Sequence, residues 1–271
     1  MCILLSADFF IPLRRLGSAF HTAMNGVTAS KNIFELLDME NDSRRPECQF
    51  NHEVQPQNAL IQTKNLSYSF DRTVLHNAEI TIKQGEFVAF TGKSGSGKST
   101  MAKILCGIYK NYSGSVLLNG VELSKIPFNE LYDFVTYISH RDWIFAGTVR
   151  ECLLEANEKA SDSQMIQVLK DVQLWDFLSE NGALDFTVSE GAANLSGGQK
   201  QRLSIARALL HDSELYVFDE AASNIDVESE EAILKVIYSL RGKKTVIMIS
   251  HRKENASGAD RVYEFEKGGL K

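Results

Sequence analysis

Residues 86–106 hold three patterns in an order that few folds accommodate. Glu86-Phe87-Val88-Ala89-Phe90 is a short apolar strand, and Thr100-Met101-Ala102-Lys103-Ile104-Leu105-Cys106 repeats apolar residues at helical spacing. Between them Gly92-Lys93-Ser94-Gly95-Ser96-Gly97-Lys98-Ser99 fits the phosphate-loop pattern G-x-x-x-x-G-K-[ST] without a mismatch. Strand, tight glycine-rich turn and helix in succession predict an α/β fold with the strand inside a sheet. The N–H groups of such a loop cradle a β-phosphate, Lys98 neutralises β and γ oxygens, and Ser99 ligates Mg²⁺, with Thr100 closing the nucleotide-binding set.

A second strand carries the acids this chemistry needs. Leu215-Tyr216-Val217-Phe218 are four apolar residues followed by Asp219 and Glu220. An apolar run of that length reads as a buried strand, parallel to its neighbours, and ligands bind beyond the carboxyl ends of such strands. Asp219 then holds Mg²⁺ through water, and Glu220 orients and polarises the attacking water as general base.

Leu195-Ser196-Gly197-Gly198-Gln199 lies between these two motifs, with the helical Lys200-Gln201-Arg202-Leu203-Ser204-Ile205-Ala206-Arg207-Ala208 after it. Two glycines let backbone N–H groups approach an anion where a helix begins, at its positive dipole end, and Ser196 adds a hydroxyl. The pentapeptide resembles the signature motif of ABC-type ATPases. That resemblance implies a motif presented across a dimer interface to the ATP held by a second ATPase domain. It also implies a fold: an α/β P-loop NTPase with a mainly parallel central sheet, an antiparallel β subdomain and a helical subdomain carrying the signature.

Further positions fall where the resemblance places them. Ile247-Met248-Ile249-Ser250-His251 reads as a strand ending in His251, which matches the family's switch histidine at the γ-phosphate. Ser223-Asn224-Ile225-Asp226 matches the loop that crosses to the partner, Asp226 above all. Leu66-Ser67-Tyr68-Ser69-Phe70 resembles the adenine-stacking strand. Its register puts Phe70 under the base, with Tyr68, two residues back on the same face, as the alternative. One position departs from the pattern. Tyr137-Ile138-Ser139-His140-Arg141-Asp142 opens a segment that resembles the loop joining the ATPase core to its helical subdomain; the family has glutamine where this chain has His140, so the resemblance makes His140 a catalytic and metal-site position whose charge titrates near neutral pH. The next residues, Phe145-Ala146-Gly147-Thr148-Val149-Arg150, look like the exporter branch of the family.

Composition narrows the setting. A formal charge of -6 and a pI near 5.6 argue against a general nucleic-acid binder, so no nucleic-acid partner is expected. Cys2, Cys48, Cys106 and Cys152 are scattered without a C-x-x-C pair, which suits a reducing cytosol and indicates neither zinc site nor disulfide scaffold. There is no secretory signal and no apolar run of about 18 residues.

The N-terminal stretch repeats Phe9, Leu13, Leu16, Phe20, Met24 and Val27 at helical spacing, with Pro12 tolerable in a first turn. A second helical run covers Ser30 to Leu37, and Glu40 to Pro46 reads as a linker. Phe10 to His21 resembles the cytoplasmic end of the last transmembrane helix of fused exporter half-transporters, CydDC-type thiol exporters most nearly. The expected layout is thus a helical segment and linker over 1–48 and an ABC ATPase domain over 60–271. Its helical subdomain occupies about 142–205, and its antiparallel β part runs from Leu60 to Ile82 with Gly114 to Leu123. The resemblance implies ATP and Mg²⁺ as ligands and ATP hydrolysis coupled to export. It implies a second ATPase domain and a transmembrane permease domain as partners, at the cytoplasmic face of the cell membrane. Two other readings are a soluble ABC-type ATPase acting on DNA or ribosomes and a weakly hydrolysing regulatory module. The gap of about a hundred residues between loop and signature leaves no room for the coiled-coil arms of a chromosome ATPase, and the chain holds one such domain where translation factors carry two. Lys98, Asp219, Glu220 and His251 speak against the regulatory module.

Overall fold

The computed structural model describes residues 2–38, 50, 59–139, 142–223, 225–252 and 254–270. The chain divides into two compact units, Met1–Arg44 and Arg45–Lys271.

The described residues of the first unit form one helix, α1 (Cys2–Asp38), of 37 residues. Two runs were expected, with Pro12 in a first turn; instead Pro12 lies inside a continuous helix. Proline deletes only its own i→i−4 bond, so the ladder resumes beyond it. Past Gly17 and Gly26 the hydroxyls of Thr22, Thr28 and Ser30 bond the carbonyls of Ser18, Met24 and Gly26 one turn back. Leu13, Leu16, Phe20, Met24 and Val27 succeed one another in steps of three and four, share one face, and are exposed. The Phe9 side chain and the linker lie outside the described residues. No helix among the described residues is long and apolar enough to cross a membrane.

The second unit contains β1 (Ala59–Ser69), β2 (Thr73–Ala78), β3 (Thr81–Lys83), β4 (Phe87–Gly92), α2 (Lys98–Leu105), β5 (Ser113–Leu118), β6 (Val121–Glu122), α3 (Phe128–Phe134) and β7 (Val135–Ser139). It continues with β8 (Gly147–Thr148), α4 (Val149–Leu154), α5 (Asp162–Asp171), α6 (Trp175–Glu180), β9 (Thr187–Val188) and α7 (Gly197–His211). The last elements are β10 (Leu215–Asp219), α8 (Val227–Ser239), β11 (Thr245–Ile249), β12 (Arg261–Glu266) and β13 (Gly269–Leu270).

Six strands form the central sheet in the order β13-β12-β4-β11-β10-β7, parallel throughout except for the β12–β13 pair. Its side chains alternate between two cores, as a sheet covered on both faces demands. Val88, Phe90, Leu215, Val217, Ile247 and Ile249 join α2 and the antiparallel sheet. Phe87, Tyr216, Phe218, Val246 and Met248 join α4 to α8. The antiparallel sheet unites β1, β2, β3, β5 and β6, the expected segments. The insertion between β7 and α7 adds a two-stranded β8–β9 ribbon to its helices.

Register positions the site. Asp219 stands opposite Ser139 on one side and Ile249 on the other, and Ile249 opposite Phe90. The phosphate loop, Asp219-Glu220 and the residues after Ile249 therefore converge at one carboxyl edge, where ligands of parallel sheets bind. The strand expected to end in His251 ends at Ile249, leaving Ser250 and His251 just past the ladder, where a side chain is released toward the edge.

Candidate functional site

The phosphate loop is held open by positions that exclude a side chain. Gly92 has φ +135°, and a Cβ there would stand 2.3 Å from the Phe265 carbonyl oxygen. Gly97 has φ +106° and would meet Leu75 at 2.7 Å. Both adopt backbone open to glycine and press the loop against β12 and β2. Helix α2 starts straight after Gly97 with no side-chain cap, so its first N–H groups and positive end face the loop. Ser96 Oγ is buried without a hydrogen-bond partner.

Lys98 is almost wholly buried, and its Nζ donates to the carbonyls of Gly92 at 2.8 Å and Lys93 at 2.9 Å. Burial holds its ammonium below the usual lysine range, while Glu220 and Asp219 pull it back up. Ser99 Oγ donates to Asp219 Oδ1 at 2.9 Å. A hydroxyl beside a buried carboxylate is a hard-oxygen pair, the kind Mg²⁺ takes with water and phosphate filling its other positions. An uncapped helix start, an orphaned buried hydroxyl and a buried lysine likewise fit phosphate oxygens. Among the described residues no group of three or more acidic, histidine or cysteine side chains converges as a metal cage, so a metal here would draw most of its ligands from elsewhere.

Glu220 follows Asp219 with φ +54°, a left-handed conformation costing a residue with a Cβ roughly 1–2 kcal/mol. Three bonds impose it. Its N–H donates to the Ile249 carbonyl at 3.2 Å, and its carbonyl accepts from Ser223 N–H at 3.0 Å and Ser223 Oγ at 2.8 Å. Its carboxylate meets His251 Nε2 at 2.5 Å. A cavity of about 230 Å³ opens beside the pair, lined by Glu220, Ser223, Glu230, His251, Arg252 and Asn255.

The signature residues form a second constellation. Ser196 is the N-cap of α7 in a full capping box: its Oγ accepts from Gln199 N–H at 3.2 Å, and Gln199 Oε1 accepts from Ser196 N–H at 2.9 Å. A hydroxyl that accepts keeps its own proton to donate. Leu195 is buried and anchors the turn. Gly197 and Gly198 open the helix, and at Gly198 a Cβ would lie 2.4 Å from Ser229 Oγ. Gly198 is thus required by the approach of α8, a role the motif does not announce. Asp226 caps α8, accepting from Ser229 N–H at 2.8 Å, and that bond lowers its pKa. Arg202 reaches Ser229 Oγ at 2.5 Å and the Gln173 carbonyl at 3.0 Å.

Of the two aromatic candidates, Phe70 is 56% exposed and Tyr68 9%. Tyr68 stacks on Tyr109 at 5.3 Å, and Phe70 stands edge-on to both rings, so Phe70 is the ring with a face toward solvent. Tyr109, just past α2, went unremarked in the sequence, since nothing local marks an aromatic there as part of the shelf. His140 and Asn224 lie outside the described residues.

Three other contacts were not foreseen. Tyr137 donates to Asp219 Oδ2 at 2.6 Å. Glu230, buried in the first turn of α8, takes Arg252 Nη1 at 2.8 and 2.6 Å. Gln201, buried on α7, donates to the Ser139 carbonyl at 3.2 Å, tying the signature helix to the end of β7. The phenol of Tyr137 near the end of β7 and an acid one turn into α8 were the available signals.

Comparison with known proteins agrees with this geometry. Residues 75–223 match the family model described as ABC transporter. The chain is 44% identical over 270 residues to an uncharacterized ABC transporter ATP-binding protein of Haemophilus influenzae, covering 99% of this chain and 48% of that one. It is 33% identical to an ATP-dependent lipid A-core flippase of Haemophilus ducreyi (96% of this chain, 45% of the relative). It is 36% identical to the microcin-J25 export ATP-binding/permease protein McjD of Escherichia coli (85% and 40%). A bacterial Atm1-family ABC exporter solved with ATP bound superposes with a TM-score of 0.79 at 26% identity, over 97% of this chain and 46% of that one. The chain spans about half the length of these relatives. It belongs to the ABC transporter family, and what it resembles includes the ATP-binding parts of an export protein and a lipid A-core flippase.

Proposed function

We propose that this chain binds and hydrolyses ATP as one half of a paired exporter engine, its partner being a second ATP-binding domain, in the simplest case a copy of itself. The observation that carries this reading is the sorting of the motifs into two constellations. Gly92 to Thr100, Asp219, Glu220 and His251 gather at one sheet edge. Ser196, Gly197, Gly198 and Asp226 gather at the paired starts of α7 and α8.

In this reading the loop N–H groups, Lys98 and Ser96 hold the phosphates. Ser99 and Asp219 would hold Mg²⁺, which supplies charge stabilisation on the phosphoryl oxygens when bound. Glu220 takes the proton of the attacking water at its carboxylate, and His251 orients that carboxylate through the 2.5 Å contact. Phe70 offers its exposed face to the base. Ser196 and the N–H groups of α7 present donors to the γ-phosphate held by the partner, adding to its electrostatic stabilisation. His140 stands in the sequence where the family's metal-side glutamine falls. The exposed apolar face of α1 supports a transmembrane permease domain as the second partner, at the cytoplasmic face of the membrane. Export of a thiol rests on the likeness of Phe10 to His21 to CydDC-type subunits, and nothing in the site adds to it.

Steady-state ATP hydrolysis tests the proposal. Glu220→Gln should lower kcat about a hundredfold or more while leaving ATP binding in place. Turnover equal to wild type would remove Glu220 as the base.

A further inference from the structure

Asp219 has two carboxylate oxygens, and each has its own donor. Ser99, from α2, takes Oδ1, while Tyr137, from β7, takes Oδ2 at 2.6 Å. The phenol reaches the acid because β7 and β10 run in parallel with Tyr137 opposite Val217, two residues before Asp219. Residues two apart on a strand share a face, so Tyr137 and Asp219 both lie on the side that α2 covers. The ring is partly buried against the core there. A phenol keeps its proton at physiological pH, so Tyr137 meets the carboxylate as a donor.

We propose that Tyr137 is a positioning residue for the metal site: its hydroxyl fixes the Asp219 carboxylate so that the other oxygen stays aimed at Ser99. A carboxylate held at one oxygen has one rotamer to offer, and an incoming cation need not order it. Outer-shell donors of this kind orient metal ligands generally, and removing one costs about 10- to 100-fold in metal affinity or activity. This inference rests on the site taking MgATP. It adds a residue outside the phosphate loop, the acidic strand end and the signature, and it assigns that residue to the metal rather than to the nucleotide.

The test is binding of a fluorescent ATP analogue to the purified chain, in EDTA and across a Mg²⁺ titration, for wild type, Tyr137→Phe and Val135→Ala. Phenylalanine keeps the ring and deletes only the donor. Val135 lies two residues back on the same face and is buried in the same core, so its truncation reports a purely structural disturbance of β7. The expected result for Tyr137→Phe is unchanged binding in EDTA, an unchanged Tm in EDTA, and a half-saturating Mg²⁺ concentration raised about tenfold. Val135→Ala should lower Tm without moving the Mg²⁺ midpoint. An unmoved midpoint in Tyr137→Phe overturns the inference. So does an equal shift in Val135→Ala, or a collapse of Tm in EDTA for Tyr137→Phe, since either makes the hydroxyl a structural strut. A wild type whose ATP binding ignores Mg²⁺ overturns the inference and leaves ATP binding standing. A wild type that binds no ATP overturns both.

Discussion

At the residue scale the site is built from groups held where they are costly to keep. Lys98 is a buried cation whose charge is opposed by desolvation and supported by Glu220 and Asp219. Its folded pKa lies below the ordinary 10.5, so between the two values the unfolded chain binds more protons and stability rises with pH. Denaturant unfolding of wild type and Lys98→Met across alkaline pH should show that rise in wild type and its loss in the variant. Equal slopes would mean that Lys98 is not desolvated in solution. Gly198 makes a different demand, for space. Gly198→Ala would drive a methyl to 2.4 Å from Ser229 Oγ, a clash that costs roughly 1–3 kcal/mol when the helices must part. Adding Ser229→Gly should recover part of the lost Tm. Signature glycines are usually read as openings for phosphate; here one of them also lets two helices touch.

At the element scale α8 joins the parts. Its cap is Asp226, its third residue Ser229 meets α7, and its next residue Glu230 grips Arg252, the neighbour of His251. One helical turn therefore links the loop expected to cross to a partner, helix α7 and the segment of His251 at the carboxyl edge of the sheet. Arg252→Ala leaves the buried Glu230 without its cation and should destabilise the domain by about 1–3 kcal/mol, with kcat falling more than ATP affinity. Urea unfolding and steady-state kinetics check it, and a variant that loses neither would make the pair incidental. How far the sequence disclosed these elements depended on distance along the chain. The phosphate loop, the Asp219 strand and the α7 start were legible as elements because each motif sits within eight consecutive residues of fixed types. Gly198's packing was not, because its partner lies thirty-one positions on. Tyr137 was hidden because it was read as the start of a joining loop, whereas it lies in β7 (Val135–Ser139), and only the β7–β10 register brings it to Asp219. The unity of α1 was missed because the apolar spacing ending at Val27 was read apart from the run opening at Ser30, and His251 was placed at the end of a strand that stops two residues earlier.

At the scale of the whole molecule, the second unit contains two hydrophobic cores. A chain shortened to residues 45–271 retains Phe50, whose ring packs on Phe134 at 5.1 Å and whose N–H bonds Glu130. It should bind ATP within about twofold of the full chain, as a unit with its own core does. Loss of binding would show that the helix completes the fold. The more demanding claim is the proposed pairing with a second domain. Ser196, Gly198 and Asp226 gather at the starts of α7 and α8, and in the proposed reading they serve ATP held by a second domain. The most direct test is the solution mass of the Glu220→Gln protein with and without MgATP. A shift from monomer to dimer on adding MgATP is the predicted result, because slowed hydrolysis leaves ATP bridging both constellations. A protein that binds ATP and remains monomeric at every concentration would contradict pairing of this chain with itself.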